Sequence, residues 1–424
     1  MKADWSNKSK NFNPILLLNL ILDSTSFNPD GRIQYEGFRP IEYRGMLRSM
    51  ITFTGGEVIS PKTEDDIFNS GLDDFASNKK RSNTTKTTNE NLKKSLLDAI
   101  NSRLFSYLSA KKNTFLVASS ISTTGSLPLT KFITNGMETT FYPKGLPKKF
   151  GSRQQYNERW KSSSPHTPDN YAGIVTQIEA RNADDAIHAA IEEIDFIRGI
   201  LSFFANPSMS LSLSGNSKKG INRIRLGGLH SVHTIQGDIA TDQYWYETDF
   251  EPRIPFMFDP NRLTTTASKI RKILRRIEQL NGGNKIKDGI IRYVRALDEP
   301  NKDHLIIKLW GALEATVGHN DNGDKIIKRC SYLYKDQELV KQILEIAKVY
   351  RNRNVHGNFS SSIADQIGYQ LHSIFCHLIF FYVGSKDLIS VSEANSFLDS
   401  PIITGDLEKQ IFLLKKAKRF RAGT

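Results

Sequence analysis

Apolar residues recur at three- and four-residue spacing across 187–204, where Ile187, Ala190, Ile191, Ile194, Ile197, Leu201 and Phe204 form one stripe, the mark of an amphipathic helix. Asn182 stands where that helix needs a cap, Asp185 lies three residues on, and Asn206-Pro207 ends it. Residues 173–180 read as a strand leading into it, and 114–122, 138–142, 221–235 and 244–250 are also strand-like. Helical spacing returns in 92–108 through Leu96, Leu97, Ile100, Leu104 and Leu108. Residues 13–76 carry short apolar runs broken by turn signals such as Asn28-Pro29-Asp30-Gly31, which predicts strands and turns rather than long helices. The polar stretches 79–94, 151–170 and 207–220 are predicted as loops.

From Asn261 the pattern becomes nearly continuous helix, with segments at about 262–280, 285–298, 302–317, 336–356 and 363–383 and a basic one at 406–420. Short Asn/Gly and Asp/Gly connections predict antiparallel neighbours in an up-and-down bundle. Residues 251–260 read as a linker. The expected architecture is an α+β N-terminal domain over 1–255 followed by an all-α C-terminal helical bundle over 256–424.

Charge sharpens this division. The chain of 424 residues carries a net charge of +13, and ten of those charges fall from residue 261 onward. A polyanionic partner, nucleic acid first, is implied for the helical part. The two cysteines, Cys330 and Cys376, give neither a disulfide framework nor zinc spacing, which suits a cytoplasmic setting. The apolar run 15–22 is too short to cross a bilayer and no cleavage site follows it, so no membrane role is expected. Gly215–Gly220 has phosphate-loop spacing, but Ile221 and Asn222 replace its Lys and Ser/Thr. The run 320–324 fails as a calcium loop, because Gly318 and Arg329 occupy the first and twelfth ligand positions. His230 and His233 fall on opposite faces of a strand, which makes them poor joint metal ligands. Nothing in the chain calls for a metal or cofactor.

The candidate chemistry lies at the end of the 336–356 helix. Leu339, Val340, Ile343, Leu344, Ala347 and Tyr350 form its apolar stripe, and Arg351-Asn352-Arg353-Asn354-Val355-His356 follow, closed by Gly357. Asn352 and His356 share a face, whereas Arg351 and His356 are five positions apart and splay around one edge. Other Arg/His pairs at similar spacing, among them Arg181/His188 and Arg225/His230, lack a helix end and a Val-His-Gly termination. Arg351-x(4)-His356, with Leu305, Ile306, Leu309, Trp310, Leu313 and Glu314 on the preceding helix, resembles the signature of HEPN domains, most of all the ApeA-like branch. The likeness covers about the last 160 residues.

The resemblance implies a metal-independent endoribonuclease whose site is built from two subunits. Arg351, Asn352 and His356 would be catalytic, Glu314 and Tyr350 supporting, and Arg353 an RNA-backbone contact. An imidazole titrates near neutrality and can take the 2′-hydroxyl proton, while a guanidinium fork meets the charge that builds on the phosphate. The resemblance further implies RNA (tRNA or another cellular RNA) as partner, a homodimer through the bundle, and a toxin-like role in anti-phage abortive infection. Residues 1–255 would then sense a trigger or meet an antitoxin. Two other classes stay open on the residues themselves: a module that binds RNA or nucleotides without cutting, and one that only dimerises.

Overall fold

The computed structural model describes residues 1–6, 12–29, 33–57, 59–82, 88–160, 167–207, 219–318, 323–356 and 363–422. The chain divides into two compact units, one of Met1–Phe115 with Ile178–Ala189, the other of Leu116–Gln177 with Ala190–Thr424. The boundary expected at 255/256 therefore falls inside the second unit. Its core is continuous, joining Ile174, Ile197 and Leu226 with Ile290, Leu309 and Phe375. Residues on both sides of the expected linker bury one another, so neither side has a complete core alone.

The first unit contains β1 (Lys2–Trp5), α1 (Pro14–Asp23), β2 (Thr25–Phe27), β3 (Ile33–Tyr35), α2 (Arg39–Ser49), β4 (Ile51–Thr54), α3 (Pro61–Ser82) and α4 (Asn89–Ser109). β1 pairs antiparallel with β4, and β2 with β3. The expectation of strands and turns over 13–76 is thus corrected: three helices occupy much of it. Asn13 caps α1 by accepting from the Leu16 amide, with Pro14 at the first helical position. Helix α3 buries Ile67, Phe68, Leu72, Phe75 and Ala76 against Leu92, Leu96 and Ile100 of α4. Helical spacing over 67–76 was masked in the sequence by charged neighbours and by Gly71. That glycine has a packing reason, since a Cβ there would lie 2.7 Å from the Ile100 Cα. The loop expected over 79–94 belongs to the ends of α3 and α4, and its middle, 83–87, lies outside the described residues.

Next in chain order come β5 (Asn113–Ile121), β6 (Lys131–Thr134), β7 (Met137–Tyr142), α5 (Ser152–Trp160), β8 (Ala172–Ala180), α6 (Ala183–Ala205), β9 (Leu229–His233) and β10 (Trp245–Tyr246). The six strands form one sheet in the order β10-β9-β5-β8-β7-β6. Asn182 caps α6 as expected, accepting from the Asp185 amide at 2.7 Å. Of the strand-like stretch 221–235 only β9 is strand, and the loop expected over 151–170 contains α5. That helix shows almost no apolar period, because only Tyr156 of its described residues is a buried aromatic.

The remainder is helical: α7 (Leu263–Gln279), α8 (Gly283–Asp298), α9 (Lys302–Val317), α10 (Gly323–Ser331), α11 (Gln337–His356), α12 (Ala364–Gly384), α13 (Val391–Leu398) and α14 (Thr404–Arg421). The mixed N-terminal part and helical C-terminal part match the expected fold class at that level, with α10 and α13 additional to the six helices foreseen. Helix α9 lies at the centre, against α8, α11 and α12. Gly289 lets α8 approach Thr316 of α9 closely, since a Cβ there would meet the Thr316 hydroxyl. Helix α12 is long and apolar enough to cross a membrane by composition, yet Ile367, Leu371, Phe375, Leu378 and Ile379 are packed into the core. Helix α14 buries none of its residues, leaving Ile411, Phe412, Leu413 and Leu414 exposed ahead of Lys415, Lys416, Lys418 and Arg419.

Candidate functional site

Helix α9 is fixed at its start by Asn301, whose side-chain oxygen accepts from the amides of Asp303 (2.9 Å) and His304 (3.2 Å). Leu305, Ile306, Leu309, Trp310 and Leu313 then follow the helical period and are all buried. Helix α11 crosses it. Val340, Leu344, Ala347 and Tyr350 are buried, spaced so that one row faces α9.

Two neighbouring residues of α11 reach opposite ends of α9. The Tyr350 hydroxyl donates to Asp303 in the first turn. Arg351, 37% exposed at its side chain, turns the other way, and its Nη2 lies 3.7 Å from Glu314 Oε1. That oxygen already accepts a 2.9 Å hydrogen bond from the Trp310 indole N–H. The second arm of the guanidinium donates to Asn352 Oδ1 at 3.1 Å. Arg351 is thus held loosely: one distant carboxylate shared with an indole, and one neutral amide.

The structure therefore brings Arg351, Asn352, Glu314 and Tyr350 around the α9–α11 crossing. It assigns Glu314 to Arg351 at 3.7 Å, and it makes Tyr350 an anchor. Asn352, expected to be catalytic, has its carbonyl oxygen on Arg351. Arg353 is exposed. His356 is the last residue of α11; its side chain, with residues 357–362, lies outside the described residues, as does the run 319–322.

The expected stripe on α11 needs one correction. Leu339 is 61% exposed, and with Ile346 and Val349 it forms a second apolar row facing solvent. The spacing 339, 346, 349, 353, 356 follows a heptad seam, so this row leads along the helix to Arg353 and to position 356.

A different array in the second unit has the composition of a nucleophile relay. Ser119 Oγ lies 2.7 Å from His230 Nδ1, and His230 Nε2 lies 3.2 Å from Glu247 Oε1. Glu247 Oε2 accepts from Arg295 at 2.5 Å. Arg295 also pairs with Asp195, which accepts from Arg198 at 2.7 Å, and Arg198 donates to Asp298 at 2.6 Å. Burial lowers the His230 imidazole below its usual range, against the pull of Glu247. Burial acts to raise the Glu247 carboxyl, but the His230 hydrogen bond and Arg295 hold it well below the usual carboxylate range. Ser119 and Arg198 are fully buried. Strand alternation sets the Ser119 side chain on the face opposite Ala118, and Ser119 also lines a cavity of about 410 Å³. The hydrogen bonds and ion pairs of this network tie β5, β9, α6 and α8 together. His230 and His233 take separate partners, Ser119 and Ser231 respectively, as their opposite faces require.

One residue escaped the sequence reading altogether. Arg153 of α5 is buried beside a cavity of about 410 Å³. The three-residue spacing of Phe150, Arg153 and Tyr156, all buried, is the one signal that would have drawn attention to it.

Against family models, curated proteins and solved structures alike, the chain has no match.

Proposed function

We propose that the C-terminal helical part is an RNA-cleaving element of HEPN type that acts as a two-fold dimer. One observation carries the reading: Arg351 stands half-exposed at the end of a long helix, with its fork directed at one carboxylate 3.7 Å away and one amide. A guanidinium so loosely engaged exchanges Glu314 for a phosphate at little cost, whereas a fully buried pair would not. The resemblance of 305–314 and 351–356 to that family adds to it, as do the ten net positive charges from residue 261 onward.

In this reading an imidazole, that of His356, removes the proton of an RNA 2′-hydroxyl. The oxygen attacks the adjacent phosphorus, the bond to the 5′-oxygen breaks, and that oxygen leaves as a hydroxyl after taking a proton. The products are a 2′,3′-cyclic phosphate and a 5′-hydroxyl end. Arg351 neutralises the charge that accumulates on the phosphate oxygens. The exposed row Leu339, Ile346 and Val349 supplies the dimer seam, and covering it would bring two copies of 351–356 to one cleft. Such an activity suits a restrained effector that stops growth in phage infection.

A second reading, RNA binding without cleavage, is favoured by α14, where Lys415, Lys416, Lys418, Arg419 and Arg421 crowd one exposed helical end. Incubation with total RNA in chelator separates the two. Fragments with cyclic-phosphate ends, absent with Arg351→Ala and His356→Ala and poorly restored by Arg351→Lys, support cleavage. Gel retardation without fragments supports the binder and overturns the first reading.

A further inference from the structure

Arg153, the second residue of α5, is a buried cation without a counter-ion among the described residues. Its Nη1 donates to the Ala118 carbonyl at 3.0 Å and to the Ser231 hydroxyl, and its Nη2 to the Leu229 carbonyl at 2.6 Å. All three acceptors are neutral. Burial lowers the guanidinium to about 10. A buried charge is ordinarily paired, because desolvation is otherwise uncompensated.

Part of its position has a structural reason. The β5–β9 ladder runs from Leu116↔His233 to Ala118↔Ser231, and the fork bridges carbonyls of both strands at that end. Bridging accounts for the hydrogen bonds but leaves the charge unmatched. It also leaves the Nε–H and one Nη2–H without an acceptor among the described residues.

The cavity of about 410 Å³ lies against this side chain and is also lined by Ser120, Gln154, Asn157, Thr167 and Tyr171. Ligand pockets begin near this size, at roughly 300 Å³. Asn157 brings a second unmet need, since its Oδ1 is buried with no hydrogen-bond partner among the described residues. Two carboxylates of the same cavity, Glu158 and Asp169, are exposed. One end therefore calls for a negative charge, and the other offers acceptors to a donor or a cation.

We propose that this cavity binds a free α-amino acid, with its carboxylate on Arg153 and its ammonium group on Asn157 Oδ1, toward Glu158 and Asp169. A phosphate dianion fits less well, because its second charge would stand unmatched beside those carboxylates. A neutral ligand would leave the guanidinium as it is. The charge count of a zwitterion answers both ends.

The test uses the full chain and thermal-shift and calorimetric titrations with each of the twenty amino acids, their C-terminal amides and inorganic phosphate. At least one amino acid should raise the melting temperature while its amide does not. Arg153→Gln should weaken that binding by roughly 10–100-fold, the scale of charge-assisted hydrogen bonds. Should that variant fail to fold, Gln154→Trp carries the test alone. Gln154 is exposed at the cavity and makes none of the Arg153 bonds, so tryptophan there should block binding while leaving the ligand-free melting temperature unchanged. The proposal is overturned if no amino acid binds, if amides bind equally, if phosphate alone binds, or if Gln154→Trp binds as the parent does.

Discussion

Two groups of ionisable residues in the second unit have similar chemistry and opposite construction. Around Arg198, the guanidinium reaches Asp195 at 2.7 Å and Asp298 at 2.6 Å, and Arg198 itself is fully buried. At the end of α11, Arg351 has one carboxylate at 3.7 Å and remains half-exposed. The first arrangement contains a serine, a histidine and an acid in sequence, and its Ser119, His230 and Arg198 are buried. The second is incomplete and open. Completeness marks a group that holds the fold, because a saturated network gains nothing from a ligand, whereas an open charge does.

The largest effects should divide along this line. Arg351→Ala should lower the rate of RNA cleavage by roughly 10²–10⁴-fold at an unchanged melting temperature. Arg198→Met should do the reverse: a loss of about 3–5 kcal/mol in chemical denaturation, because Asp195 and Asp298 keep buried charge without their partner. Paired measurements of cleavage and urea midpoint on each variant check this. Cleavage lost in both, or stability lost in both, would erase the distinction.

Acid should act on the buried residues. Burial holds His233 and His372 at about 4, below the ordinary 6.5. The unfolded chain therefore binds more protons between those values. Stability from these groups is complete above pH 6.5 and is lost as pH falls toward 4, at about 2 kcal/mol for each by pH 5. Urea midpoints at pH 7 and pH 5 should show it. His372→Gln should flatten the slope by the share of one residue. An equal slope in parent and variant would show that His372 is not held neutral.

The smallest change in fold stability belongs to the exposed row on α11. Ile346→Glu should alter the stability of the chain by no more than about 0.5 kcal/mol, as surface changes do. If the row is the proposed seam, light scattering should report a monomer for this variant and a dimer for the parent, with cleavage removed. A monomeric parent with full activity would separate the Arg351 site from the proposed seam.

The helices were the most legible part of the chain where burial was one-sided. Residues 262–280 nearly coincide with α7, because Ala267, Ile270, Ile273 and Ile277 are buried while Lys269, Arg271, Lys272 and Arg275 are exposed. Helix α3 was hidden, since Asp, Glu and Lys surround its apolar row. Helix α5 was hidden more deeply, its core contact being an arginine. The division of the chain was illegible for another reason: composition changes at Asn261, but the core does not. Sequence neighbours record local pattern, whereas the packing of Ile174, Leu226 and Ile290 into one core joins residues far apart in the chain. At the candidate site, a supporting role for Glu314 was expected from the resemblance, but the exposure of Leu339 was not. A heptad row gives no sign in sequence of whether the same molecule covers it.

The indole of Trp310 adds an optical consequence. Its N–H is bonded to Glu314 Oε1, the same atom that faces Arg351. The other three tryptophans, Trp5, Trp160 and Trp245, lie elsewhere in the chain. Drawing Arg351 away to a phosphate leaves the carboxylate charge beside the ring unshared, and a negative charge at the pyrrole edge shifts indole emission. Trp310 is thus a built-in fluorophore wired to the arginine, and its emission reads the occupancy of that guanidinium without any label.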